Sequence, residues 1–90
     1  ELRIDCEDTR KFGTMDQIHS HVLSQHDEGN VNVIDGVRVR SADGWWLIRA
    51  SDTEAALVAR AEAGSATGLE QLIDEIHTTL KAAGLDWQRP

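Results

Sequence analysis

The sequence has 90 residues, 40% of them apolar, and a net charge of −7 from 16 acids against nine bases. This length makes one domain, residues 1–90, with one core, and no apolar run approaches the roughly 20 residues needed to span a bilayer. The acidic balance argues against a general nucleic-acid binder and against an anionic membrane surface, although a local arginine cluster can still hold a small anion.

The opening LRIDCED, residues 2–8, alternates Leu2, Ile4 and Cys6 with polar neighbours, the pattern of a half-buried strand. Cys6 is the single cysteine, so no internal disulfide forms and a reducing, cytoplasmic location is expected. Its acidic neighbours Asp5 and Glu7 disfavour a thiolate, so it reads as a strand residue rather than a nucleophile. No charged-then-apolar leader is present. The chain opens on Glu1 rather than Met, and a piece of a longer protein is expected.

Residues 14–25, TMDQIHSHVLSQ, place Met15, Ile18 and Val22 at helical spacing, with Thr14 as the expected N-cap. DEGN at 27–30 breaks that helix. Four short strands follow. VNVID (31–35) ends in the tight-turn signal Asp35-Gly36; VRVRS (37–41) alternates Val37 and Val39 with Arg38 and Arg40; Asp43-Gly44 leads into WWLIR (45–49); ALVARAEA (56–63) closes the set. Adjacent strand residues face opposite ways, so one of Trp45 and Trp46 is expected under the helices and the other on the open face. Arg38, Arg40 and Arg60 are expected on the outer sheet face. The last helix spans 68–83, with Leu69, Leu72, Ile73, Ile76 and Leu80 as its apolar stripe. Thr67 with Glu70 suggests its capping box and Gly84 its C-cap, and 86–90 reads as a loose tail. The order β-α-β-β-β-β-α predicts a two-layer α+β domain: an antiparallel sheet with both helices packed on one face.

One connection is over-equipped for a turn. RASDTEA, residues 49–55, sets Arg49, Ser51, Asp52 and Thr53 together between two strands. Arginine offers a planar fork of donors suited to phosphate or carboxylate. Ser51 and Thr53 add hydroxyls, and successive backbone N–H groups can form an anion nest. Charge-assisted hydrogen bonds contribute about 1.5–3 kcal/mol each, so three converging ones anchor a phosphorylated metabolite. The alternative is an ordinary turn, with Ser51 and Asp52 bonded locally and Arg49 paired to Asp52 or Glu54. His19, His21, His26 and His77 do not share the spacing of a metal set.

The block DGVRVRSADGWWLIRASDTEAALVARAEA resembles the C-terminal domain of the α-D-phosphohexomutases, the phosphomannomutase/phosphoglucomutase enzymes and their phosphoglucosamine relatives. The resemblance rests on Asp35, Gly36, Gly44, Trp45 or Trp46, Arg49, Ser51, Thr53, Glu54, Glu62 and Ala63, and upstream on the D-x-x-K-F of Asp8, Lys11 and Phe12. It covers nearly the whole chain. Ala55 stands where the family usually has proline, and Asp52 where Asn or Gly is familiar.

The resemblance implies a TATA-box-binding-protein-like fold and a role in substrate binding. By matching position, Arg49, Ser51, Asp52 and Thr53 would hold the phosphate of a hexose phosphate and orient it for transfer by a phosphoserine in an earlier domain. It further implies Mg²⁺ bound outside this chain, the remaining domains of the parent enzyme as partners, and no mutase activity from this piece alone. The competing expectation is a non-catalytic protein-interaction module that uses the open sheet face.

Overall fold

The computed structural model describes residues 1–88. The chain runs β1 (Leu2–Asp5), α1 (Lys11–Gln25), a 3-10 turn (Glu28–Asn30), β2 (Val31–Asn32), β3 (Val37–Arg40), β4 (Gly44–Ala50), β5 (Ala56–Ala63) and α2 (Ala66–Ala82). The strands form a single five-stranded sheet in the order β1-β5-β4-β3-β2, every neighbouring pair antiparallel. The α+β, two-layer expectation holds.

Period-two patterning decides which sheet face meets the helices. Ile4, Val37, Val39, Trp46, Ile48, Leu57 and Ala59 are buried together with Ile18 and Val22 of α1 and Leu72, Ile76 and Leu80 of α2. Each aliphatic side chain of that size stabilises the fold by about 1.5–3 kcal/mol when buried. Trp46 is fully buried, whereas Trp45 stays half-buried on the opposite face, as alternation requires. Of the α2 stripe, Leu69 lies at the rim, 36% exposed.

Five local expectations shift. The first helix begins at Lys11, and Thr14 lies buried inside it rather than capping it. The Cys6 thiol is directed at the Thr14 hydroxyl at 3.8 Å, and Cys6 itself sits just beyond the end of β1. The second helix is capped by Ser65, not Thr67: Ser65 Oγ accepts from the Gly68 N–H at 3.0 Å and donates to Asp43 Oδ2 at 2.7 Å. Two hydroxyls were available, and the Asp43 carboxylate arriving from the β3–β4 turn decides between them. The strand expected over 31–35 stops at Asn32, because the Asn32 side chain accepts from the Ile34 N–H at 3.0 Å and turns the chain, leaving Ile34 90% exposed. Residues 86–88 lie outside regular structure, yet Trp87 packs on the core and tilts against the His77 ring at 6.1 Å; positions 89 and 90 of the expected tail lie outside the described residues.

Two glycines adopt left-handed backbone. Gly84 (φ 86°) ends α2 in a Schellman turn, with Leu85 N–H donating to Leu80 O at 2.9 Å and Gly84 N–H to Lys81 O at 3.0 Å. Gly36 (φ 83°) turns the chain into β3, and a Cβ there would meet Ile48 O at 2.5 Å and Arg49 Cβ at 2.7 Å. Gly36→Ala therefore combines left-handed strain with a backbone clash against β4. A loss of about 2–3 kcal/mol is expected in urea denaturation, with the largest amide-shift changes at Ile48 and Arg49.

Candidate functional site

The connection between β4 and β5 is built as a fixed loop. The Ser51 N–H donates to Ala56 O at 2.9 Å, closing it at the base. Ser51 Oγ then accepts from the N–H groups of Thr53 at 3.3 Å and Glu54 at 3.2 Å, so the side chain folds the loop over itself. Ser51 is correspondingly buried, 8% exposed.

The loop is also held from beneath. Lys11, 6% exposed, directs its ammonium to Ser51 O at 2.6 Å, Glu54 O at 3.1 Å and Asp8 Oδ1 at 2.9 Å. A lysine buried this deeply needs several oxygen partners to offset lost hydration, and these three supply them. The Cys6 N–H donates to Ala55 O at 3.1 Å, and Arg3 Nη2 lies 3.2 Å from Glu54 Oε2. The end of β1 and the first turn of α1 thus clamp the loop at both shoulders. Ala55 stands without the rigidity of a proline, and these contacts provide the restraint instead.

The four expected ligands divide by what they touch. Arg49 sits in β4 opposite Val58, half-buried, with its side on the open sheet face. Asp52 and Thr53 are exposed at the crown of the loop. No side-chain hydrogen bond or ion pair joins Arg49, Asp52 or Thr53 to another described residue, so the local pairing of Arg49 with Asp52 or Glu54 does not form. Ser51 faces inward and shapes the others. The N–H groups of Thr53 and Glu54 are taken by Ser51 Oγ, while the Arg49 guanidinium, the Thr53 hydroxyl and the Asp52 N–H have no hydrogen-bond partner among the described residues.

A groove of about 270 Å³ opens beside the loop, lined by Arg49 and Asp52 with Phe12, His19 and Asp35 among its other walls. Asp16 lines it as well, so three acidic residues and one arginine border the groove.

Sequence reasoning did not assign Lys11 its place under the loop. The D-x-x-K-F motif marked Lys11 and its neighbour Asp8 but not the contact with the loop, which crosses 40 positions of chain to Ser51. The histidines go elsewhere. His26 Nε2 lies 3.2 Å from Glu75 Oε1, and His77 lies against Trp87. Among the described residues no group of three or more His, Cys, Asp or Glu is placed to hold a metal ion, and no helix is long and apolar enough to cross a membrane.

These features define a two-layer α+β domain carrying a braced, arginine-bearing loop at one end of its sheet. The model of the phosphoglucomutase/phosphomannomutase C-terminal domain family matches residues 1–79, and the chain belongs to that family. A phosphomannomutase/phosphoglucomutase of Pseudomonas putida is 39% identical over 90 residues, covering 100% of this chain and 19% of the relative. A probable phosphoglucosamine mutase of Methanococcoides burtonii is 32% identical over 80 residues, 89% of this chain and 17% of the relative. Among solved structures, a phosphoglucomutase/phosphomannomutase family protein of Burkholderia thailandensis superposes with a TM-score of 0.75 at 30% identity, covering 96% of this chain and 18% of that one. The chain therefore spans about one fifth of the length of the curated relatives it matches.

Proposed function

We propose that the loop of Arg49, Ser51, Asp52 and Thr53 binds the phosphate group of a hexose phosphate for a phosphomannomutase/phosphoglucomutase-type isomerase. The observation that carries this reading is the unpaired Arg49 beside a loop whose backbone is already fixed by Lys11 and Ser51. A guanidinium without a carboxylate partner, next to a rigid hydroxyl-bearing turn, binds an oxyanion with little ordering cost. Arg49 supplies charge and a two-pronged contact, and the Thr53 hydroxyl and Asp52 N–H complete the cradle. Ser51 contributes from within, its Oγ holding the Thr53 and Glu54 amides and so the shape of the cradle. The carboxylates of Asp16 and Asp35 disfavour a dianion deep in the groove, so the phosphate sits at the loop crown with the Asp52 carboxylate turned away.

Holding one phosphate fixes the sugar's position relative to a phosphoserine supplied by the rest of the polypeptide. Such orientation lowers a barrier by several kcal/mol without any group here touching the reacting atoms. The isomerase interconverts 1- and 6-phosphates of mannose or glucose in the cytoplasm on this reading. The family chemistry calls for Mg²⁺; the described residues offer no fitting ligand cluster, and the reading assigns the metal to the remainder of the parent enzyme. The 90-residue chain alone is expected to show no mutase activity.

Titrating the ¹⁵N-labelled chain with glucose 6-phosphate should shift the amides of residues 49–53 first. Arg49→Ala should weaken binding by about 10–100-fold, the loss of one or more charge-assisted hydrogen bonds. Shifts spread evenly over the surface, or an unchanged affinity in the variant, would sink the assignment.

A further inference from the structure

The face of the sheet opposite the helices carries a pattern that phosphate binding does not use. Strand register sets its residues in three rows: Arg40, Trp45 and Glu62; Asn32, Arg38, Leu47 and Arg60; Arg49, Val58 and Arg3. Adding Asp5 from β1, five arginines less two acids give this face +3 in a chain of −7. Five of the nine basic residues of the sequence therefore lie on one side of one sheet.

Composition and geometry both suit association. Trp45, Leu47 and Val58 are half-buried apolar residues running across the centre, with arginines on either side. Tryptophan and arginine are the types most enriched where binding energy concentrates. The Arg38 guanidinium lies over the Trp45 ring at 4.5 Å, which holds it in place before any partner arrives. Beside it a groove of about 290 Å³ is lined by Arg38, Arg40, Trp45, Asn30 and Asn32 with no carboxylate among its walls. Neither Arg38, Arg40 nor Arg60 has an ion-pair partner among the described residues.

Size selects the kind of partner. Strands about 4.8 Å apart with about 3.4 Å per residue make this face roughly 400 Å², half of the roughly 800 Å² per partner of a stable interface between separate molecules. A tethered partner needs far less, because linkage supplies a millimolar effective concentration. The relatives extend well beyond the region matched here, this chain covering 19% of a curated one.

We propose that the open sheet face, centred on Arg38, Trp45 and Arg60, docks an acidic protein surface elsewhere in the same polypeptide. Carboxylates of that surface meet the arginine rim, and its apolar centre covers Trp45 and Leu47. Because Arg49 ends the third row, the contact sets how the phosphate loop faces the rest of the enzyme. That last consequence rests on the function proposed above; the docking itself does not.

The test uses the full-length protein carrying Arg38→Lys and Arg60→Lys, which keep the charge and add an amine for zero-length carbodiimide cross-linking to carboxylates. The expected products join positions 38 or 60 to Asp or Glu outside residues 1–90 of the same molecule. They should fall at least fivefold at 1 M salt, where the Debye length is about 3 Å. A mixture of ¹⁴N and ¹⁵N protein separates intramolecular links from links between copies. Absence of links beyond residues 1–90, links between copies only, or tight binding of nucleic acid that R38E/R60E abolishes would each overturn the proposal. Phosphosugar affinity of the loop, measured in parallel, can fail or succeed without deciding this result.

Discussion

Trp46→Ala is expected to cost about 3–5 kcal/mol, the range for emptying a large aromatic site in a packed core. Trp46 is the largest of the fully buried side chains and lies between Val39 of β3 and Ala61 of β5, with the helices above it. Small domains have only about 5–15 kcal/mol in total, so this variant should be close to unfolded at room temperature. Its indole N–H finds no acceptor among the described residues, so packing rather than hydrogen bonding is what alanine removes. Trp46→Phe, which keeps most of the ring contacts, should cost about 1–2 kcal/mol. Trp45→Ala, on the open face, should cost about 1 kcal/mol or less. Urea midpoints at unchanged slope provide the measurement. Equal losses at positions 45 and 46 would contradict the assignment of the two faces.

Lys11→Met is expected to cost about 2–4 kcal/mol and to loosen the β4–β5 loop specifically. Methionine preserves the stem but leaves Ser51 O and Glu54 O without the ammonium that now reaches both. Hydrogen bonds to a charged donor contribute about 1.5–3 kcal/mol each. The Asp8 partner is 71% exposed, so that ion pair adds little of its own. Hydrogen exchange at the Thr53 and Glu54 amides, both bonded to Ser51 Oγ, should accelerate well beyond the global change in stability. Phosphosugar affinity should fall with Arg49 still present. Unchanged protection at those two amides would mean that Ser51 alone holds the loop and Lys11 is not its strut.

Much of this architecture was legible in the residues. The strand alternation around Val37, Val39, Trp46, Ile48, Leu57 and Ala59 and the helix stripe of Leu72, Ile76 and Leu80 are periodic signals, and burial followed them. Gly84 marked the end of α2 because only a left-handed residue completes that turn cheaply. The RASDTEA loop was visible as a cluster of donors, and its family frame was visible around it. What failed locally were choices between equivalent residues. Thr14 and Thr67 had good capping chemistry, yet Lys11 began one helix and Ser65 capped the other, because partners from distant segments tipped the balance.

The sequence by itself determined the element order, the buried face of each strand, the family, and where donor-bearing side chains cluster in the RASDTEA stretch. Those properties follow from short-range periodicity and from which side chains carry donors. Tertiary structure decided how that cluster is used. It turned Ser51 inward to shape the loop, left Arg49 without a carboxylate partner, and drove Lys11 beneath the backbone of Ser51 and Glu54. It also aligned Arg3, Arg38, Arg40, Arg49 and Arg60 on one face from four separate strands. Such contacts depend on sheet register and helix docking, which bring together positions tens of residues apart. No local pattern in the chain encodes those distances.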